Sequence, residues 1–458
     1  MAGQNDRGDW PQAFDFLPPK RYWEQLSSHG DVVLWPLLAA SDYLLTTGDG
    51  SLLDESVTFA APDGTAAPAA SVLDHLGRAL TLIEQRTVPG SALPRYGHGD
   101  WNDSLQPADP RLAERMASTW TAVLLTQALP ALAAGLAAAA PANEPALLLA
   151  ARCRAHADAV TAAIREHLLA DGLLAGYGVF DDATGTPTSL LVHPRDTTTG
   201  LTYGVLPWIH AITGDLLTPP EAQAHLDALR EHLLGPDGAR LFDRPTEYRG
   251  GPLHLFKRAE AATFWGREIG LMYTHAHLRY AEALARSGDA EGLLDALLLV
   301  CPFGLTERVP AARPRQSTCY HSSSDGAFAD RYDAARRYPD LLAGRVPLEG
   351  GWRVYSSGPG LFLRIVVQCL LGLRRRGDRL EVDPVLDPRL DGLTAVVPLG
   401  GRLVEFRFRV NWDAGGVRVS VADGPELASA PLTNPYRTPG VSVLLADVGA
   451  GPVDVVLG

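Results

Sequence analysis

Lysine is nearly absent from this chain of 458 residues. It occurs only at Lys20 and Lys257, and arginine supplies the rest of the positive charge. The 40 basic residues face 53 acidic ones, a formal net charge of −13. Binding along a phosphate backbone needs a clustered basic surface, so nucleic acid is excluded as the main partner. Cysteine is scarce as well. Cys153, Cys301, Cys319 and Cys369 are spaced too widely for a zinc motif or a small disulfide framework, and read as buried thiols acting as small hydrophobes. No metal site is expected. Long apolar runs are missing too. The Ala-rich stretch from Ala131 to Ala140 stops at Pro141, too short to cross a bilayer, and Met1 to Trp10 is polar with no apolar signal region. The expected location is the cytoplasm, with no membrane partner. There is no Gly-x-Ser-x-Gly elbow and no His-Glu-x-x-His. The Gly-rich pieces at Gly235–Gly238 and Leu399–Arg402 match neither a phosphate loop nor a dinucleotide fingerprint.

What is present is ample core material. Hydrophobic residues make up 46% and charged residues 20%, enough for one large domain or up to about three smaller ones. Apolar residues at helical spacing predict helices over 31–47, 71–85, 111–136, 144–170, 219–234, 259–287, 289–300 and 357–375, with shorter ones at 199–213 and 325–337. Ser71-x-x-Asp74 is a capping signal, and Gly235 and Gly288 are stops. Near Gly377 the period becomes two. Val404, Phe406, Phe408 and Val410 alternate with Glu405, Arg407 and Arg409, and Gly-rich turns separate the runs. The expected class is mainly α: a helical toroid over residues 1–376, then a small antiparallel β-sandwich module over 377–458. About ten helices are legible where an (α/α)6 barrel needs twelve, and the first strong one starts near residue 31. The toroid is therefore expected to be incomplete at its N-terminus.

Several polar clusters stand outside the helical pattern. Gly97-His98-Gly99-Asp100-Trp101-Asn102-Asp103-Ser104 offers two carboxylates around a Trp and an Asn. A carbohydrate site needs this combination: an aromatic face for the sugar, an amide for hydroxyls, and an acid to protonate a leaving oxygen. An Asp/Asn turn with a helix cap has the same composition. Gly351 to Gly360 places Ser356 and Ser357 before a helix, an anion cradle or a plain N-cap. His275 and His277 lie two apart on a helix, a poor metal pair; one of them is a candidate phosphate or sugar ligand, with a satisfied core histidine as the alternative reading. His193-Pro194-Arg195-Asp196 and Thr318 to Asp325 read as polar loops that either line a cleft or cap helices.

Taken in order, these pieces resemble glycoside hydrolase family 94, the inverting disaccharide and oligosaccharide phosphorylases. The resemblance runs from Asp31-Val32-Val33-Leu34-Trp35-Pro36 through Gly99-Asp100-Trp101-Asn102-Asp103 and Tyr273-Thr274-His275. It continues through Tyr355-Ser356-Ser357-Gly358 to Gly377 and Pro384. Asp103-Ser104-Leu105-Gln106-Pro107-Ala108, the His193 cluster with Thr199-Gly200, and Phe264-Trp265-Gly266-Arg267-Glu268 are similar to the β-1,2-oligoglucan phosphorylase branch. The resemblance implies an (α/α)6 barrel between an N-terminal β-sandwich and a C-terminal β module, of which this chain matches the later part. It implies that Asp103 is the acid, and that phosphate, a co-substrate, is the nucleophile, with no cofactor. It implies that Asp31, Asp100, Trp101 and Arg267 bind the sugar, and that His275, Ser356 and Ser357 bind phosphate. The family's Arg shortly before the Asp31 position has no counterpart in Leu26-Ser27-Ser28-His29-Gly30, which leaves Arg21, Arg267 or His29 for that role. Partners would be a β-1,2-glucooligosaccharide and phosphate, with the chain monomeric or a homodimer. The alternatives are an inactive or glucan-binding remnant, another family 94 phosphorylase, an inverting hydrolase, and the phosphorylase-like end of a cyclic β-1,2-glucan synthase.

Overall fold

The computed structural model describes residues 1–12, 28–61, 68–102, 105–245, 256, 272–301, 303–313, 322–350, 357–410, 415–449 and 451–458, with Ser357 described by its backbone alone. Of the expected site residues, Asp103, Arg267 and Ser356 lie outside this set, as does Cys319. The chain divides into two compact units. One comprises residues 1–210 and 242–270, the other 211–241 and 271–458.

In the first unit, the helix Thr119–Ala139 packs between Leu34–Thr47 and Glu144–His167. Leu34, Leu37, Ala40 and Leu44 form the buried stripe of the first of these helices. Gly135 lets the two helices approach closely, since a Cβ there would sit 3.1 Å from the Leu44 Cβ. Ser71 caps Val72–Gln85 as its spacing predicts, accepting the Asp74 N–H at 3.1 Å. Two expectations change here. The region 111–136 is not one helix. Pro110–Arg115 ends, Met116–Ser118 forms a strand, and Thr119–Ala139 then begins. That strand pairs antiparallel with Tyr177–Phe180, which pairs with Pro187–Leu191. The Ala-rich stretch is also only the end of a longer apolar element, because residues 119–130 continue the helix across Pro130. At 21 residues it is long and apolar enough to span a bilayer by length and composition, and most of its residues are buried against protein.

In the second unit, Thr274–Ser287 packs on Ala290–Val300 and on Ser357–Ile365. Strands Met272–Tyr273, Ser323–Gly326 and Leu348–Gly350 form one antiparallel sheet. The Thr318–Asp325 cluster therefore ends in a strand rather than a polar loop. The C-terminal strands form two four-stranded sheets. Leu373–Arg376, Arg379–Val382, Val441–Leu444 and Ser429–Pro431 make one; Thr394–Leu399, Arg402–Val410, Val453–Leu457 and Arg418–Val421 make the other. The expectation of a purely antiparallel module is corrected by one pair. Arg402–Val410 runs parallel to Val453–Leu457, because the last strand enters between two antiparallel neighbours. Val404, Phe406 and Phe408 are buried as their alternation predicts. The described chain is thus a mainly helical region followed by a β module.

Gly372 opens this module at φ +65°, where a Cβ would fall 2.1 Å from the Asp383 carbonyl carbon. Its own carbonyl accepts the Asp383 N–H at 2.9 Å, so neither strand can retreat. Gly372→Ala is expected to cost about 2–4 kcal/mol, read as a lowered melting temperature. An unchanged melting temperature contradicts the packing described.

Candidate active site

In the first unit the loop Tyr96–Asn102 is pinned from two sides. Tyr96 N–H donates to the Met116 carbonyl at 2.6 Å and Gly97 N–H to Ala113 at 3.0 Å. Gly30 N–H donates to the Gly99 carbonyl at 2.9 Å. This brings the Asp31 and Asp100 segments together. Asp31 begins the turn leading into Leu34–Thr47, and its Oδ2 accepts the Trp35 indole N–H at 2.9 Å. Trp35 and Trp101 each lie 6.4 Å from Trp120, ring centroid to centroid, and His210 meets Trp120 edge-on at 5.8 Å. Trp120 is buried and Trp101 only partly so, which leaves Trp101 with surface for an apolar sugar face.

Asp100 is almost wholly buried. Its carboxyl is pushed up from 3.8 to about 7, first by burial and then by the neighbouring Asp31 charge. Hydrogen bonds from Ser118, the Asn102 N–H and Thr121 oppose the rise. Asp103 follows three residues later. The residues flanking it and Ser104, Asn102 and Leu105, are both buried.

In the second unit His275 stands on the first turn of Thr274–Ser287, with Arg279 and Glu282 at i+4 and i+7 on the same face. Glu282 Oε2 accepts from Arg279 at 2.8 Å, and Oε1 accepts from Arg364 at 2.8 Å. Burial alone would raise the Glu282 carboxyl, but the two guanidiniums outweigh it and hold it at about 2. His275 is driven down from 6.5 to about 4, by burial first and by Arg279 and Arg364 in addition. It is a neutral imidazole at physiological pH, beside one net positive charge from the two arginines and Glu282. Ser357 begins the helix Ser357–Ile365, which packs on the His275 helix. Strands Met272–Tyr273 and Leu348–Gly350 precede these two helices and run in the same direction, since both are antiparallel to Ser323–Gly326.

Other candidates are structural. His277 is buried, accepting the Ala239 N–H at 3.0 Å on Nδ1 and bonding the Ala296 carbonyl at 2.8 Å through Nε2. His193 bonds the Ala170 carbonyl at 3.0 Å, and Arg195 pairs with Asp171 at 2.5 Å. Asp196 caps the turn by accepting from Val192, Thr198 and Thr199 N–H groups. Cys153 is buried and Cys301 and Cys369 partly so, and burial pushes the Cys153 and Cys369 thiols up to about 12. Among the described residues no group of three His, Cys, Asp or Glu side chains is placed to hold a metal ion. Sequence reasoning missed Ser118, Thr121, Trp120, Arg279, Glu282 and Arg364. The i, i+4, i+7 spacing from His275 would have found two of them.

Residues 20–188 match the model of the glycosyl hydrolase 94 superfamily, catalytic domain. It is 38% identical over 446 residues to a Listeria innocua protein named 1,2-beta-oligoglucan phosphorylase, covering 94% of this chain and 38% of that one. It is also 28% identical over 387 residues to the cyclic beta-(1,2)-glucan synthase NdvB of Rhizobium meliloti, covering 81% of this chain and 12% of that one. The chain therefore spans well under half the length of either relative. Among solved structures, a GH78 family rhamnosidase of Bacillus sp. GL1 aligns with a TM-score of 0.46 at 17% identity, over 85% of this chain and 33% of that one.

Two predictions follow from the charges. The raised Asp100 carboxyl keeps its proton in the folded chain from about pH 4 to about 7, while the unfolded chain has lost it. Its contribution to stability is complete below pH 4 and is lost as pH rises through 7. The melting temperature of wild type relative to Asp100→Asn should fall across that window and level off above about pH 8. A constant difference contradicts the raised value. Glu282→Gln removes the anion between two guanidiniums and should destabilise by about 1–3 kcal/mol in thermal or urea unfolding, the lower end reflecting the part-exposed Arg364. No loss would show the clamp to be idle.

Proposed function

We propose that this chain is a phosphorylase region that cleaves β-1,2-linked glucooligosaccharides with inorganic phosphate, giving α-glucose 1-phosphate and a shortened glucan. The observation that carries this reading is the 38% identity over 94% of the chain to the 1,2-beta-oligoglucan phosphorylase. The residues fit the chemistry. Asp103 gives its proton to the glycosidic oxygen as the bond to the anomeric carbon breaks. A phosphate oxygen forms the new bond to that carbon from the opposite face. Phosphate is itself the nucleophile, so the second carboxylate that an inverting hydrolase uses to activate water is not needed. Asp31, Trp101 and Arg267 hold the donor glucose.

Phosphate is held by His275 and by Ser356 and the Ser357 backbone N–H at the start of the helix Ser357–Ile365. A neutral His275 suits this role as a hydrogen-bond donor, because it binds the anion without a charge that varies near pH 7. Arg279 and Arg364 place positive charge beside it. Phosphate enters as co-substrate, and the reaction needs no bound cofactor. The helices belong to an (α/α)6 toroid, and the protein works in the cytoplasm.

The test is incubation of the protein with β-1,2-glucooligosaccharides, with and without phosphate. Glucose 1-phosphate should appear only with phosphate, and Asp103→Asn should lower the rate by about 10²- to 10⁴-fold. Equal sugar release without phosphate would identify a hydrolase. Glucan binding with no turnover under either condition would identify a binding remnant.

A further inference from the structure

Asp100 precedes the proposed acid by three residues, and both of its oxygens are engaged. Oδ1 accepts the Asn102 N–H at 2.9 Å and faces the Tyr96 hydroxyl at 3.5 Å. Oδ2 accepts the Ser118 hydroxyl at 2.6 Å and the Thr121 hydroxyl at 3.3 Å. A carboxylate has about four acceptor positions, so these four donors occupy it without a sugar hydroxyl. The residue is also only 1% exposed, which leaves almost no surface for a substrate to reach.

The donors come from two elements, the loop Tyr96–Asn102 and the start of the helix Thr119–Ala139. Asn102 is the last described residue before Asp103. Ser118 and Thr121 bracket the first turn of Thr119–Ala139, where Ser118 Oγ accepts the Thr121 N–H at 3.4 Å as the helix cap. The Ser118 backbone is fixed in turn by the strand Met116–Ser118, in register with Tyr177. The Tyr177 ring lies 5.2 Å from that of Tyr96, at the start of the same loop.

We propose that Asp100 is a positioning residue and not a sugar ligand: with Ser118 and Thr121 it locks the backbone entering Asp103 to the first turn of the helix Thr119–Ala139. The role rests on the reading of Asp103 as the general acid. A general acid must lie within hydrogen-bond reach of the leaving oxygen, and small displacements are costly. Among the described residues, Asp100 is what ties that helix turn to the Asn102 backbone ahead of the acid.

The experiment is steady-state phosphorolysis by the full chain and its variants, with glucan affinity measured by calorimetric titration. Ser118→Ala and Thr121→Val should each lower kcat by between about 10- and 100-fold, with KM for glucan and for phosphate within about twofold of wild type. Ser118→Thr keeps the hydroxyl and should recover most of the rate. Thr121→Val keeps the side-chain shape, so it reports even if Ser118→Ala folds poorly. Asp100→Asn should bind glucan with the wild-type Kd. Unchanged kcat in both hydroxyl variants would overturn the proposal, and so would glucan binding by Asp100→Asn weakened tenfold or more. Asp103→Asn measured alongside separates the two claims. If it retains the wild-type rate, the acid assignment fails and takes the positioning role with it. If it is inactive while the hydroxyl variants are unaffected, only the positioning role fails.

Discussion

The buried carboxyl of Asp100 joins the loop Tyr96–Asn102 to the helical framework. Asp100 accepts from Ser118 and Thr121 at the first turn of Thr119–Ala139, and from the Asn102 backbone just ahead of Asp103. Burying this group is costly unless its partners satisfy it, and here they do. Asp31 stands close enough to raise its pKa further, so the loop holds its shape against a charge that the environment disfavours. The glycines and backbone bonds around it serve the same end, pinning Tyr96 and Gly97 to Met116 and Ala113, and Gly99 to Gly30.

The second unit solves the opposite problem. Glu282 is buried as well, yet two guanidiniums keep it ionised far below its ordinary range. Burial first, and the same guanidiniums in addition, hold His275 neutral. The two units thus place a carboxyl poised near neutrality in one and a permanently charged clamp beside a neutral imidazole in the other.

Much of the helical framework was legible because it depends on local periodicity. Leu34–Thr47 and Val72–Gln85 follow from their apolar stripes and the Ser71 cap. The loop holding Asp100 and Trp101 was legible as a polar interruption between helices. The anchor behind it was hidden. Met116 and Ala117 are apolar and continue the helical pattern through a strand, so Ser118 read as mid-helix when it caps the next one. Arg364 could not be found either, because it meets Glu282 from a helix 82 residues further on. The partners of Asp100 were hidden too, because composition places a carboxylate in a loop without saying which way its oxygens face. The parallel pairing of Val453–Leu457 was hidden for a related reason, since alternation reports a strand's faces and not its neighbour's direction.

One protein carboxyl suffices for the proposed reaction because phosphate attacks the anomeric carbon directly. Proton NMR of the reaction at early times, with phosphate present, reads the anomeric configuration of the phosphorylated product. Direct attack on a β-linked glucoside gives α-glucose 1-phosphate as the first product formed. A β-anomer would require a covalent glycosyl intermediate on a second protein carboxylate, and would contradict it.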